Sequence, residues 1–113
     1  MKRGDLWTAA DGSGYAGKPR PVVIVQSDDF EGMDSVTICG FTSQTVEAPL
    51  LRIPVQPTPD NGLRETSSLM ADKLMTIRRD RLGQRIGQLA PADMDRLSRA
   101  VIVFLGLAGV SGR

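Results

Sequence analysis

A chain of 113 residues with 14 Lys+Arg against 13 Asp+Glu has room for one core, and its net charge of +1 advertises no polyanion partner. It holds no histidine and one cysteine, Cys39, which excludes an intrachain disulfide, Ser–His or Cys–His catalysis and two-histidine ribonuclease chemistry, and leaves no metal or other cofactor expected. No apolar run reaches about 18 residues and no signal-like stretch opens the chain, so one cytoplasmic domain over residues 1–113, with no membrane segment, is the expectation.

Asp5–Ala9 reads as a short first strand. The glycine-rich stretch from Asp11 to Gly17 then leads into Lys18-Pro19-Arg20-Pro21 and the apolar run Val22-Val23-Ile24-Val25. Proline after residues 18 and 20 favours extended backbone there, and the apolar run predicts a second strand, Arg20–Gln26, buried on both faces. Ser27–Gly32 predicts a turn or a single helical turn, because Ser and Asp bond to nearby amides. Ser35–Phe41 reads as a third strand with Val36, Ile38 and Gly40 on one face and Thr37, Cys39 and Phe41 on the other. Leu50–Val55 reads as a fourth, placed at an edge by Pro54.

Gln56–Thr66, with two prolines, Asn61 and Gly62, is a loop. Ser68–Arg78 fits both a helix and a strand. Arg79–Gly83 is a turn and Arg85–Leu89 a short strand. From about Pro91 to Leu107 the pattern is helical: proline in the first turn, Asp93 and Asp95 at the amino-terminal dipole, and Met94, Leu97, Val101 and Leu105 at helical spacing. Short strands followed by one carboxy-terminal helix predict an α+β fold, a small twisted antiparallel β-barrel of about five to seven strands. Val101–Leu105 and Leu107 carry more apolar surface than one helix face hides, which predicts a homodimer.

Candidate functional residues follow from chemistry. Arg20 combines a fixed strand start with a planar double donor suited to a phosphate. Lys18 is a second phosphate contact, and Tyr15 and Trp7 are the aromatics available for stacking on bases. Ser43 and Gln44 offer hydrogen bonds to base edges. Arg78, Arg79, Arg81 and Arg85 form the densest basic stretch, a solvated face in most proteins and a nucleic-acid contact in a minority.

In order along the chain, Gly4-Asp5-Leu6-Trp7, Gly12-Ser13, Arg20-Pro21 before an apolar strand, Ile38–Gln44, Gly62-Leu63, Ser68, Asp72-Lys73 and Gly87-Gln88-Leu89 resemble the MazF/PemK family of toxin endoribonucleases from toxin–antitoxin modules. The resemblance spans nearly the whole chain. It implies an SH3-like barrel with a C-terminal helix, a homodimer, and sequence-specific, metal-independent cleavage of single-stranded RNA through its ribose 2′-hydroxyl. It also implies a cognate antitoxin whose disordered acidic tail folds over the RNA surface, which suits the cations Lys18, Arg20 and Arg78–Arg85. By the same resemblance Arg20 and Thr42 carry the chemistry. Two positions depart from the family pattern: Gly14 stands where many members have a loop glutamate, and Lys73, a further RNA contact, where many have glutamine. Asp5 and Asp11 are the remaining carboxylates considered as a base. Alternative readings are a gyrase-binding toxin of the CcdB type and a catalytically silent barrel that binds RNA or a partner.

Overall fold

The computed structural model describes residues 1–10, 18–44 and 50–109. Six strands are formed: β1 Asp5–Ala9, β2 Arg20–Ile24, β3 Ser35–Thr42, β4 Arg52–Val55, β5 Ser67–Arg78 and β6 Leu82–Gln88. The helix α1, Pro91–Phe104, follows them, and short 3-10 turns occupy Asp28–Phe30 and Arg79–Arg81. All strand pairs are antiparallel, in the order β4-β5-β3-β2-β1-β6. This is the expected α+β architecture, with Pro54 on the edge strand β4. The hydrogen-bonded ladder ends at β4 and β6, and curvature rather than closure of the ladder makes the sheet barrel-like.

Strand alternation divides the apolar residues between two faces. Val23, Cys39, Leu69 and Ala71 face one core, roofed by Leu97 of α1. Val22, Ile24, Val36 and Ile38 face the other, against Trp7 and Leu82. A strand sandwiched in this way must be apolar at every central position, which is why Val22–Ile24 shows no alternation. Trp7, considered as a stacking platform, is instead a half-buried core residue.

β5 produces the curvature. Its pairing with β3 jumps from Leu69 to Leu74 while β3 advances only from Phe41 to Cys39. Met70–Lys73 therefore form an extended bulge, and bulges bend the strand and tighten its twist. Arg52 of β4 clasps Asp72 there, with the two side chains only 13% and 18% exposed. Partial burial pushes the Asp72 carboxyl up, but the Arg52 guanidinium and the neighbouring Lys73 outweigh it and hold the carboxyl below its ordinary value. Beneath the bulge the Cys39 thiol donates to Met70 O at 3.4 Å, and burial pushes its pKa up to about 12, so it is an inert core group.

Two close approaches fasten the Gln56–Thr66 loop to β6. A Cβ on Gly62 would stand 2.3 Å from Ile86 O, and one on Gly87 2.4 Å from the Asn61 carbonyl carbon. Asn61 is buried, and its Oδ1 accepts from Thr58 N (3.1 Å) and Leu63 N (2.9 Å). β6 begins at Leu82 instead of Arg85, because Gln84 N donates to the Thr8 hydroxyl at 3.0 Å and draws that stretch onto β1. The helix stops at Phe104, short of Leu107. Gly106 adopts φ 72°, and Leu107 N reaches back to Ile102 O (2.8 Å), a glycine C-cap. Ile102–Leu105 and Leu107 remain between 41% and 67% exposed, the apolar surplus expected of this segment.

Candidate active site

The register of the sheet assembles the site. β2 pairs with β3 through Val22↔Gly40, Val23↔Cys39 and Ile24↔Ile38. The observed pairs stop at Val22 and Gly40, and extrapolation of their register by two residues puts Arg20 opposite Thr42, the last residue of β3. On the outer sides, Arg20 pairs with Ala9 of β1, and Thr42 pairs with Ser68 of β5. Direct antiparallel partners project to the same face, so Arg20, Thr42 and Ser68 form one polar row at the end of the sheet. Adjacent strands lie about 4.8 Å apart, which makes the row about 10 Å long, the scale of a phosphodiester with its flanking sugars.

Each member is available to a ligand in its own way. Arg20 is exposed, and among the described residues no carboxylate pairs with it. Thr42 is half-buried, and its hydroxyl oxygen accepts from Gln44 N at 3.2 Å. That bond occupies the oxygen and leaves the hydroxyl proton to donate. Gln44 thereby serves the turn after β3, while Ser43 beside it is exposed. Lys18 is exposed on the approach to β2. Lys73 is exposed in the β5 bulge, outside the Arg20–Thr42 row and beside the Arg52–Asp72 pair. Tyr15, Gly14 and Asp11 lie outside the described residues.

Asp5 does not belong to the row. It sits at the opposite end of β1 from Ala9, buried, accepting from Lys2 N (2.8 Å) and facing Arg85 Nε (3.3 Å). Its role is to close the amino-terminal turn, which removes it as a candidate base.

The basic stretch is largely a solvated face, as such stretches are in most proteins, with its arginines bonded within the chain. Arg78 pairs with Asp80 at 2.5 Å. Arg79 donates to the backbone carbonyls of Glu31 and Met33, Arg81 to that of Ala10, and Arg85 faces Asp5. These cations stitch the 3-10 turn and β6 to distant chain segments. Sequence reasoning missed Ser68 as a member of the polar row, because only the pairing of β3 with β5 brings it beside Thr42.

Comparison with known proteins agrees with this architecture. Residues 2–105 match the sequence profile described as PemK-like, MazF-like toxin of type II toxin–antitoxin system. The chain is 53% identical over 109 residues to a "Probable endoribonuclease MazF" of Mycolicibacterium smegmatis, covering 96% of this chain and 100% of that protein. Among solved structures, a mycobacterial endoribonuclease in complex with its cognate antitoxin superposes with a TM-score of 0.77 at 24% identity, over 97% of this chain and 99% of that one. A MazE–MazF structure from Deinococcus radiodurans gives 0.75 at 16% identity, over 94% and 95% of the two chains. The chain belongs to the family of PemK-like, MazF-like toxins of type II toxin–antitoxin systems.

Proposed function

We propose that the protein is a toxin endoribonuclease that cuts single-stranded RNA at a short recognition sequence, without a metal, at the Arg20–Thr42 row. The observation that supports this most is the register that sets a bidentate cation and a donating hydroxyl on one face of adjacent strands. A ribose 2′-hydroxyl attacking its own 3′-phosphate requires no bound water and no metal; it requires alignment and donors on the phosphorane oxygens. The 2′-oxygen forms a bond to phosphorus, the bond to the 5′-oxygen breaks, and the products are a 2′,3′-cyclic phosphate and a 5′-hydroxyl. Arg20 bridges one non-bridging phosphorane oxygen and the leaving 5′-oxygen with its fork, stabilising charge first and passing a proton to the 5′-oxygen second; water accepts the 2′-hydroxyl proton, and Arg20 takes a proton back from solvent. Thr42 donates to the other non-bridging oxygen. Lys18 steadies a neighbouring phosphate, and Tyr15, Ser43, Gln44 and Lys73 contact the flanking nucleotides.

The same cations suit neutralisation by an acidic antitoxin tail that folds across Lys18, Arg20 and Lys73. The exposed apolar end of α1 supports a homodimer. No described helix is long and apolar enough to cross a membrane, and the proposed place of action is the cytoplasm. The test is incubation of purified protein with oligoribonucleotides in EDTA. Cleavage to cyclic-phosphate and 5′-hydroxyl ends is expected, and a 2′-deoxy substitution at the cut nucleotide should abolish it. Cleavage of the deoxy-substituted strand, or none without added metal, contradicts the reading.

A further inference from the structure

Resting on the reading of Arg20 and Thr42 as an RNA-cleaving pair, we infer that Ser68 and a notch at Gly40 hold the base of the nucleotide next to the scissile phosphate, and so set part of the sequence preference. Ser68 is the direct cross-strand partner of Thr42, so its hydroxyl stands about 5 Å along the row, on the same face and on the side away from Arg20. The two adjacent serines are used differently. Ser67 turns to the core side with Val55 and bonds its hydroxyl to Glu65 O at 3.3 Å. Ser68 turns to the open side with Pro54 and is half-buried, and its hydroxyl makes no hydrogen bond with another described residue.

The position behind the row has a matching shape. Gly40 precedes Thr42 by one alternation of β3 and projects to the same face. Its backbone lies outside the positive-φ region, and a Cβ there would meet only the Met70 methyl, at 3.4 Å. Neither conformation nor tight packing demands glycine, although glycine weakens a strand interior. What its lack of a side chain provides is room beside Thr42, bounded by the Met70 methyl and by Val22, the direct partner of Gly40 on β2. A planar base seated there gains sulfur–aromatic contact with Met70, and its polar edge meets the Ser68 hydroxyl, which donates and accepts. The scissile phosphate then lies over Arg20 and Thr42.

The experiment is cleavage of a randomised RNA pool and of one optimal oligonucleotide, with four variants of confirmed fold. Ser68→Val and Ser68→Thr are matched in shape and differ in the hydroxyl. Val is expected to raise KM about tenfold and relax the preference at one position, while Thr retains both. Gly40→Ala and Gly40→Val fill the notch progressively. The expected result is a stepwise loss of kcat/KM, about tenfold or more for Val, with a melting temperature unchanged or raised, which a purely structural glycine would not give. If wild-type protein cleaves and all four variants keep its cleavage motif and its kcat/KM within about twofold, this inference is overturned while the assignment of the activity stands. A wild type that cuts no RNA overturns both.

Discussion

Two basic regions of the molecule differ in how their charge is spent. The stretch from Arg78 to Arg85 holds more cations than any other, yet its arginines are engaged by Asp80, Asp5 and three backbone carbonyls. The row of Arg20, Thr42 and Ser68 holds a single cation, and among the described residues no carboxylate meets it. A guanidinium already bonded to its own chain has fewer donors to offer a phosphate, because full engagement would first break charge-assisted hydrogen bonds. On the proposed reading, uncommitted donors on one face mark the RNA site, rather than charge density along the sequence.

The largest effect should follow removal of the Arg20 fork. Arg20→Ala is expected to lower kcat/KM for RNA by about 10²–10³-fold, and Arg20→Lys to remain badly impaired because it keeps charge but loses the double donor. Circular dichroism on both variants checks that β2 is intact. Next comes a stability effect distant from the row. Arg52→Met leaves the Asp72 carboxylate with its partner removed in a poorly exposed site, and should cost about 3 kcal/mol in urea unfolding at neutral pH. The pH dependence carries a definite sign. Because the folded-state Asp72 lies below its ordinary value of 3.8, the pair's contribution is fully present above that pH and is lost as pH falls through the lower folded value. Asp72→Asn removes that part of the acid dependence.

A smaller loss is expected for Thr42→Ala, about tenfold in kcat, because a neutral donor stabilises a phosphorane less than a cation does. The basic stretch should show the opposite pattern to the row. Arg79→Ala should lower stability by about 1 kcal/mol through its lost carbonyl contacts and leave the cleavage rate unchanged. Arg78→Ala, an exposed pair with a near neighbour in the chain, should change stability by less than about 0.5 kcal/mol and cleavage not at all.

Much of the placement of strands along the chain was legible because apolar alternation and proline placement are local. β1 and the start of β2 fall where the sequence predicts, and Pro54 marks the edge. β5 was ambiguous for a physical reason. Leu69 faces the core before the bulge, Ala71 within it and Leu74 after it, so the period of two breaks and partly imitates a helix. Arg20 was legible as a phosphate-binding candidate from its place between prolines at a strand start, whereas Thr42 entered through family resemblance, since their juxtaposition depends on the pairing of β2 with β3. Ser68 carried no sequence signal of its own role. The fate of Arg79 and Arg81 was hidden as well, because their carbonyl partners lie 46, 48 and 71 residues away.

The contrast between the two regions can be read in one titration. An oligoribonucleotide bearing 2′-deoxyribose at the cut position should bind and remain whole, and backbone amide NMR signals can be followed as it is added. The signals of Arg20, Thr42 and Ser68 should shift while those of Arg79 and Arg81 stay in place. Shifts concentrated at Arg79 and Arg81, with the Arg20 row unmoved, would contradict the placement of RNA on this face of the sheet.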